Sequence, residues 1–289
     1  MKYLNLWIIF ILFINNSYAV SSINPSINPS LISKPAIQLA TRYNPDIKIK
    51  DYLVSEKLDG VRARWNGEIL ITRSGHIINA PKWFIQDFPQ QILDGELWIG
   101  RNRFDEVSAI VRRKIADDKK WQLITFNIFD LPLSPSPFLK RYREMNQLLS
   151  GNSSPHIKLI KQKELVSKVE LNDWLDLIEE KHGEGLMLHH KESLYDHNRS
   201  NKLLKLKKVY DAEAIVIAHL NGKGKYKDML GALLMEMPNG IQFRLGSGLS
   251  DFLRQNPPKI GSTVTYQYYG ITKNGKPRFA SYLRIRDKN

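Results

Sequence analysis

Val54-Ser55-Glu56-Lys57-Leu58-Asp59-Gly60-Val61-Arg62 places a lysine between a β-prone run, Tyr52 to Val54, and the turn-forming pair Asp59-Gly60. This order predicts a strand that ends in a tight loop, with Lys57 at the transition rather than on a solvated helix. A lysine amine is a nucleophile only after losing its proton, and burial or neighbouring positive charge shifts its pKa in that direction. Arg62, Arg64 and the basic run around Lys205 are the candidates for such charge. Standing alone, the motif is also what an ion-paired surface lysine would look like. The segments downstream decide between the two.

Four of them carry chemistry. Leu93-Asp94-Gly95-Glu96-Leu97-Trp98 puts carboxylates on an otherwise apolar strand, where an unpaired charge is costly and a metal ion or a ribose hydroxyl would satisfy it. Thr125-Phe126-Asn127-Ile128-Phe129-Asp130 is an aromatic strand whose Phe129 could stack on a base or simply fill a core. Glu184-Gly185-Leu186-Met187-Leu188-His189 sets a carboxylate at the start of an apolar strand. Leu203-Leu204-Lys205-Leu206-Lys207-Lys208 alternates, so Lys205 and Lys207 share one side and suit the phosphates of a nucleotide. Together they compose a nucleotidyl-transfer site: a lysine nucleophile, an aromatic for the base, lysines for phosphate, and hard oxygen donors that favour magnesium or manganese over zinc. No GxxxxGK[ST] loop occurs, so phosphate is not held in the P-loop manner.

The flanking regions read as follows. Lys2, the apolar run Leu4 to Ile14 and Ser17-Tyr18-Ala19 describe a secretory signal peptide, residues 1–19, cut after Ala19. Residues 20–34 hold the near-duplication Ile23-Asn24-Pro25-Ser26 and Ile27-Asn28-Pro29-Ser30 and read as a linker. Residues 35–208 mix strands and helices without regular βαβ alternation, an α+β pattern. Helices are predicted over Phe104–Arg113, Leu139–Leu149 and Leu171–Lys181. Residues 209–289 carry about five short strands separated by Gly, Pro and Asn turns, which suits a small closed barrel of the OB type.

The net charge of +14 points to a phosphate-rich partner, nucleic acid ahead of anionic membrane. Zero cysteines exclude disulfides, thiol catalysis and a cysteine zinc site, and suit an oxidising compartment.

In their order and residue types these segments resemble the covalent nucleotidyltransferase superfamily of DNA ligases, RNA ligases and capping enzymes. The tetrapeptide Lys57 to Gly60 and the segments at Asp94–Trp98, Phe129-Asp130, Glu184-Gly185 and Lys205–Lys207 carry the likeness. Within the superfamily the chain is most similar to minimal bacterial ATP-dependent DNA ligases with a periplasmic signal. Pro277-Arg278-Phe279-Ala280-Ser281-Tyr282-Leu283-Arg284-Ile285-Arg286 supports this, and the missing cysteines argue against the NAD-dependent group.

The resemblance implies an adenylation domain of mixed and antiparallel sheets followed by an OB-fold. It also implies a monomer that uses ATP and Mg2+ (or Mn2+), acts on nicked double-stranded DNA, and has no stable protein partner and no membrane attachment in mature form. Lys57 would become lysyl-AMP. Glu56 would bind the adenine amine, Phe129 would stack on the base, and Arg62 would contact ribose or phosphate. Glu96 and Glu184 would serve ribose or metal, and Lys205 and Lys207 the α-phosphate. Arg284 or Arg286 would swing over the pyrophosphate, with Arg73, Arg278 and Arg286 contacting DNA. Two alternatives stand beside this reading: an RNA ligase or other covalent nucleotidyltransferase, and a secreted DNA-binding protein with a dead site.

Overall fold

A computed structural model describes residues 34–286 other than Lys273. The expected leader and almost all of the linker lie outside the described residues. Among the described residues there are three sheets and six α-helices. The first sheet runs β1 (Leu39–Arg42), β11 (Arg199–Leu206), β10 (Leu186–His190), β2 (Tyr52–Glu56), β9 (Lys163–Glu164), antiparallel except for β1 beside β11. The second runs β5 (Ile77–Ile78), β4 (Leu70–Thr72), β3 (Val61–Trp65), β6 (Leu93–Trp98), β7 (Thr125–Asp130), β8 (Ile157–Leu159), with a parallel last pair. The helices are α1 (Lys82–Ile85), α2 (Phe104–Val111), α3 (Asp118–Trp121), α4 (Phe138–Leu149), α5 (Lys168–Glu180) and α6 (Asp251–Gln255).

Alternation in the second sheet decides where the site can be. Ala63 and Trp65, Leu93 and Leu97, and Phe126 and Ile128 point to one side and join a core with Phe84, Val107, Trp121, Phe138 and Met145. By period two, Arg62, Arg64, Asp94, Glu96 and Phe129 point the other way. The first sheet does the same: Tyr52, Val54, Leu186, Leu188 and Leu204 pack on Leu171, Leu175 and Ile178 of α5. Met187, His189 and Lys205 are therefore left on its opposite face. Each sheet thus keeps its main apolar core on one face, with Leu53 of β2 reaching into that of the second sheet, while its polar face opens on a shared cleft.

The third sheet runs β14 (Gln242–Leu245), β13 (Leu230–Glu236), β12 (Tyr210–Asn221), β15 (Thr263–Tyr268), β16 (Ser281–Ile285), antiparallel throughout. Its own core holds Val216, Leu233, Met235, Leu245, Val264 and Tyr266. The closed barrel expected from the turn spacing is not formed as a continuous ladder. Its edge strands meet only through the isolated bridge Ser247–Ser281, because Gly246 and Gly248 break β14 before it can pair along its length.

Candidate active site

Lys57 follows directly on β2, and its N–H donates to the Gly185 carbonyl at 2.8 Å, extending the β2–β10 ladder by one bond. Two glycines make the junction possible. A Cβ on Gly60 would lie 2.3 Å from the Leu97 carbonyl oxygen, and one on Gly185 (φ +141) would lie 2.3 Å from that of Leu206. No side chain tolerates that approach. The Gly185 contact also carries Glu184 against the end of β11.

Glu184 joins two lysines. It accepts from Lys57 Nζ at 2.6 Å and, through its other oxygen, from Lys207 Nζ. Burial opposes the charge on Lys57, but Glu184, Glu96 and Asp59 together outweigh it and raise the lysine pKa above its ordinary value. This reverses the direction expected from the sequence. The cations expected to depress Lys57 are spent on a carboxylate: Arg62 and Arg64 each reach Asp94 at 2.6 Å.

Asp94 needs neither metal nor ribose. It is fully buried and also accepts from Tyr195 Oη at 2.5 Å; burial works to protonate it, but Arg62, Arg64 and Tyr195 hold its pKa below the usual carboxylate range. Glu96 is the contrasting case. Burial pushes it up to about 7 despite Lys57 and Arg62, with Glu184 and Asp59 adding to the rise.

The cleft behind Lys57 is a cavity of about 1070 Å³ lined by Ser55, Arg62, Glu96, Phe129, Met187 and Lys205 among others. Arg62 lies 5.1 Å from the Phe129 ring centre and donates to the Gln38 carbonyl at 2.7 Å. Lys205 also faces this cavity; partial burial, then Lys207 and Lys57, lower its pKa.

Glu56 departs from its expected role. It shares the α5-facing side of β2 with Tyr52 and Val54, beside Gly183, and both of its oxygens are taken by Arg101 at 2.7 and 2.8 Å. Period two turns Glu56 away from the face that Ser55 presents to the cleft. Arg73 sits in the exposed turn after β4 at the cavity rim, with Arg112, Arg113 and Lys114 close by.

Of the three C-terminal arginines, Arg278 also departs from expectation: it pairs with Asp59 at 3.1 Å, inside the Lys57 loop, instead of standing free for DNA. Its neighbour Phe279 has φ +54, is largely exposed and lies 5.5 Å from Lys207 Nζ. Arg284 is exposed on β16, Arg286 pairs with Glu213, and neither lines the cavity. Arg101, Tyr195 and Arg141 were not singled out in the sequence. Arg141 is completely buried and grips Asp130 at 2.6 and 3.1 Å while donating to the Ser136 and Ser193 carbonyls. No motif marks these residues, because each partner is distant in sequence or hidden in an unremarkable helix.

Comparison with known proteins agrees with this geometry. A family model for the ATP dependent DNA ligase domain matches residues 38–207, and one for the DNA ligase OB-like domain matches 221–286. A DNA ligase of Haemophilus influenzae is 39% identical over 236 residues, covering 82% of this chain and 87% of that protein. A structure from a study of DNA binding by Lig E DNA ligases is 47% identical, superposes with a TM-score of 0.84, and covers 86% of this chain and 98% of its own. The Chlorella virus DNA ligase-adenylate shares the fold at 22% identity, TM-score 0.51, covering 89% of this chain and 99% of its own. With a lysine at the mouth of a polar cleft, followed by an OB-like domain, this chain belongs to the ATP-dependent DNA ligases.

Proposed function

We propose that this ligase seals nicks in duplex DNA through an AMP carried on Lys57. The observation that carries the assignment is the position of Lys57, held by Glu184 at the entrance of a cleft that contains Phe129 and Lys205. The Lys57 amine attacks the α-phosphorus of ATP, forming a P–N bond as the bond to pyrophosphate breaks. The 5′-phosphate at the nick then takes AMP from the lysine. Finally the 3′-hydroxyl attacks that phosphorus, and AMP leaves as the strand closes. Each step is an in-line displacement, so positioning and charge neutralisation supply most of the catalysis.

Lys57 must lose a proton before the first attack. Glu184 holds it protonated, so this contact has to loosen when the triphosphate arrives. Glu96, poised near neutrality beside it, is suited to receive the proton. Phe129 offers a ring face to the base, while Lys205 and Lys207 face the α-phosphate.

Glu96 and Glu184 are hard oxygen donors, and the Glu96 carboxylate has no hydrogen-bond partner among the described residues, its main-chain carbonyl alone accepting from Asn127, which fits a divalent cation. Three convergent acidic or imidazole groups are not found among the described residues, so triphosphate oxygens and water would complete the shell, as Mg2+ or Mn2+ accepts. Such an ion would neutralise charge on the phosphates.

The leader-like residues 1–19 support export to the periplasm, and the excess of cations supports sequence-independent binding of DNA through its phosphates by a monomer. The deciding experiment is incubation with α-labelled ATP and magnesium, followed by a denaturing gel and acid treatment. Wild type should acquire acid-labile label, and Lys57→Ala none. Label on Lys57→Ala would overturn the assignment.

A further inference from the structure

Glu56, the residue expected to meet the amine of adenine, lines the cleft with both of its oxygens already bound to Arg101. The depth of the cleft offers another group. Gln38, just before β1, is 1% exposed, lines the cavity and leaves both side-chain amide atoms without a hydrogen-bond partner among the described residues. Its main chain, by contrast, is fixed at both ends: the N–H donates to Tyr195 Oη at 3.2 Å, and the carbonyl accepts from Arg62 Nη1 at 2.7 Å. Arg62 in turn lies against Phe129. The amide is therefore built into the same framework as the ring proposed to stack on the base.

Other unpaired atoms border this cavity. Arg62 Nε, Gln162 Oε1 and His189 Nε2 are buried and unpartnered in the same way, and His189, stacked on Phe138 with ring centres 3.5 Å apart, is kept neutral by burial. A buried amide with neither its donor nor its acceptor used is a standing cost to the free protein. Such groups persist where a ligand satisfies them. A primary amide offers one acceptor beside one donor, which complements an exocyclic amine beside an unprotonated ring nitrogen.

We infer that Gln38 reads the amine-bearing edge of the purine, its carbonyl accepting from the 6-amino group and its NH2 donating to the adjacent ring nitrogen. This makes it a specificity residue for the triphosphate, and it rests on the ATP reading of the cleft. The alternative is that ordered water alone meets the amide.

The test compares ATP with purine riboside triphosphate, which lacks only the 6-amino group, as competitors of α-labelled ATP for labelling of the enzyme. Gln38→Met keeps the volume and removes both polar atoms. Wild type should prefer ATP by roughly tenfold, the scale of one net hydrogen bond, and Gln38→Met should lose most of that preference through a raised KM with little change in kcat. Freed of unpaired groups, nucleotide-free Gln38→Met should melt no lower than wild type. Gln38→Glu, which only accepts, should shift labelling from ATP towards GTP, whose base edge presents donors to a carboxylate.

If Gln38→Met discriminates as wild type does, the inference fails and water fills the site. If it melts lower and loses labelling with both triphosphates equally, Gln38 is structural and the inference fails again. A wild type that takes no label from ATP would instead sink the reading of the cleft itself.

Discussion

The protonation state of Glu96 depends on the fold. Burial raises its pKa to about 7, so the folded protein holds a proton there that the unfolded chain releases near pH 4.3. The sign follows by linkage: this group destabilises the fold progressively as pH rises from about 4.3 to about 7, and the penalty is complete above that. Glu96→Gln should therefore be more stable than wild type at pH 8 by about 1–3 kcal/mol and nearly equal to it at pH 4. Parallel urea titrations at the two pH values would show this, and an equal difference at both would refute it.

Asp94 and Glu96, two residues apart on one face of β6, take opposite directions because one meets two guanidinium groups and a phenol and the other faces the lysine across an unfilled gap. The motif Asp-Gly-Glu made both carboxylates conspicuous. What separates them, Arg64 and the remote Tyr195, could not be read from spacing.

Among the elements, β7 shows how the site is held from behind. Phe129 faces the cleft while its neighbour Asp130 is clamped by Arg141 of α4 in a pair that is almost wholly buried. Removing one partner of such a pair strands the other charge, so Arg141→Ala should cost about 3–5 kcal/mol of stability. Replacing both by apolar residues should recover much of the loss, and melting curves of the single and double variants would decide. If the single variant melts like wild type, the clamp is not structural.

The elements themselves were largely legible. The apolar and aromatic segments located β6, β7 and β10, alternation located β11, and the helix predicted over Leu171–Lys181 located α5. The predicted start of α5 at Leu171 was late because it followed the apolar face. The helix begins at Lys168, where Ser167 caps it by accepting from Glu170 N at 3.2 Å while Glu170 accepts from Val166 N. The pairing of Glu56 was hidden for a related reason: adjacency to Lys57 in sequence places it on the other side of the strand, within reach of Arg101.

For the molecule as a whole, the contact between Arg278 and Asp59 ties the OB-like domain to the loop of the catalytic lysine. Around it, Tyr269 lies 5.9 Å from Arg42 and from Lys207, while Lys208 and Tyr210, on either side of Val209, are both held by Glu179 of α5. These contacts hold the OB-like domain against the loop of Lys57 and the end of α5. A partly exposed ion pair is worth about 1 kcal/mol, so Arg278→Ala should slow formation of lysyl-AMP about fivefold. It should slow sealing of a nick supplied already adenylated by less, because that step bypasses the first closure. Single-turnover rates for the two reactions separate the effects, and slowing of the sealing reaction alone would argue for a DNA contact instead.

Two sheets that turn charged faces towards each other keep only a narrow apolar seam, Leu53 of β2 and His189 of β10 reaching the core of the second sheet. The nucleotide becomes the missing layer, a wedge of base and phosphate that supplies the stacking and countercharge the chain leaves out. Because AMP is bonded to the protein between the first and second steps, that wedge is retained while the enzyme searches for a nick. The ligase therefore travels loaded, and empties its cleft only when it hands its filling to the DNA.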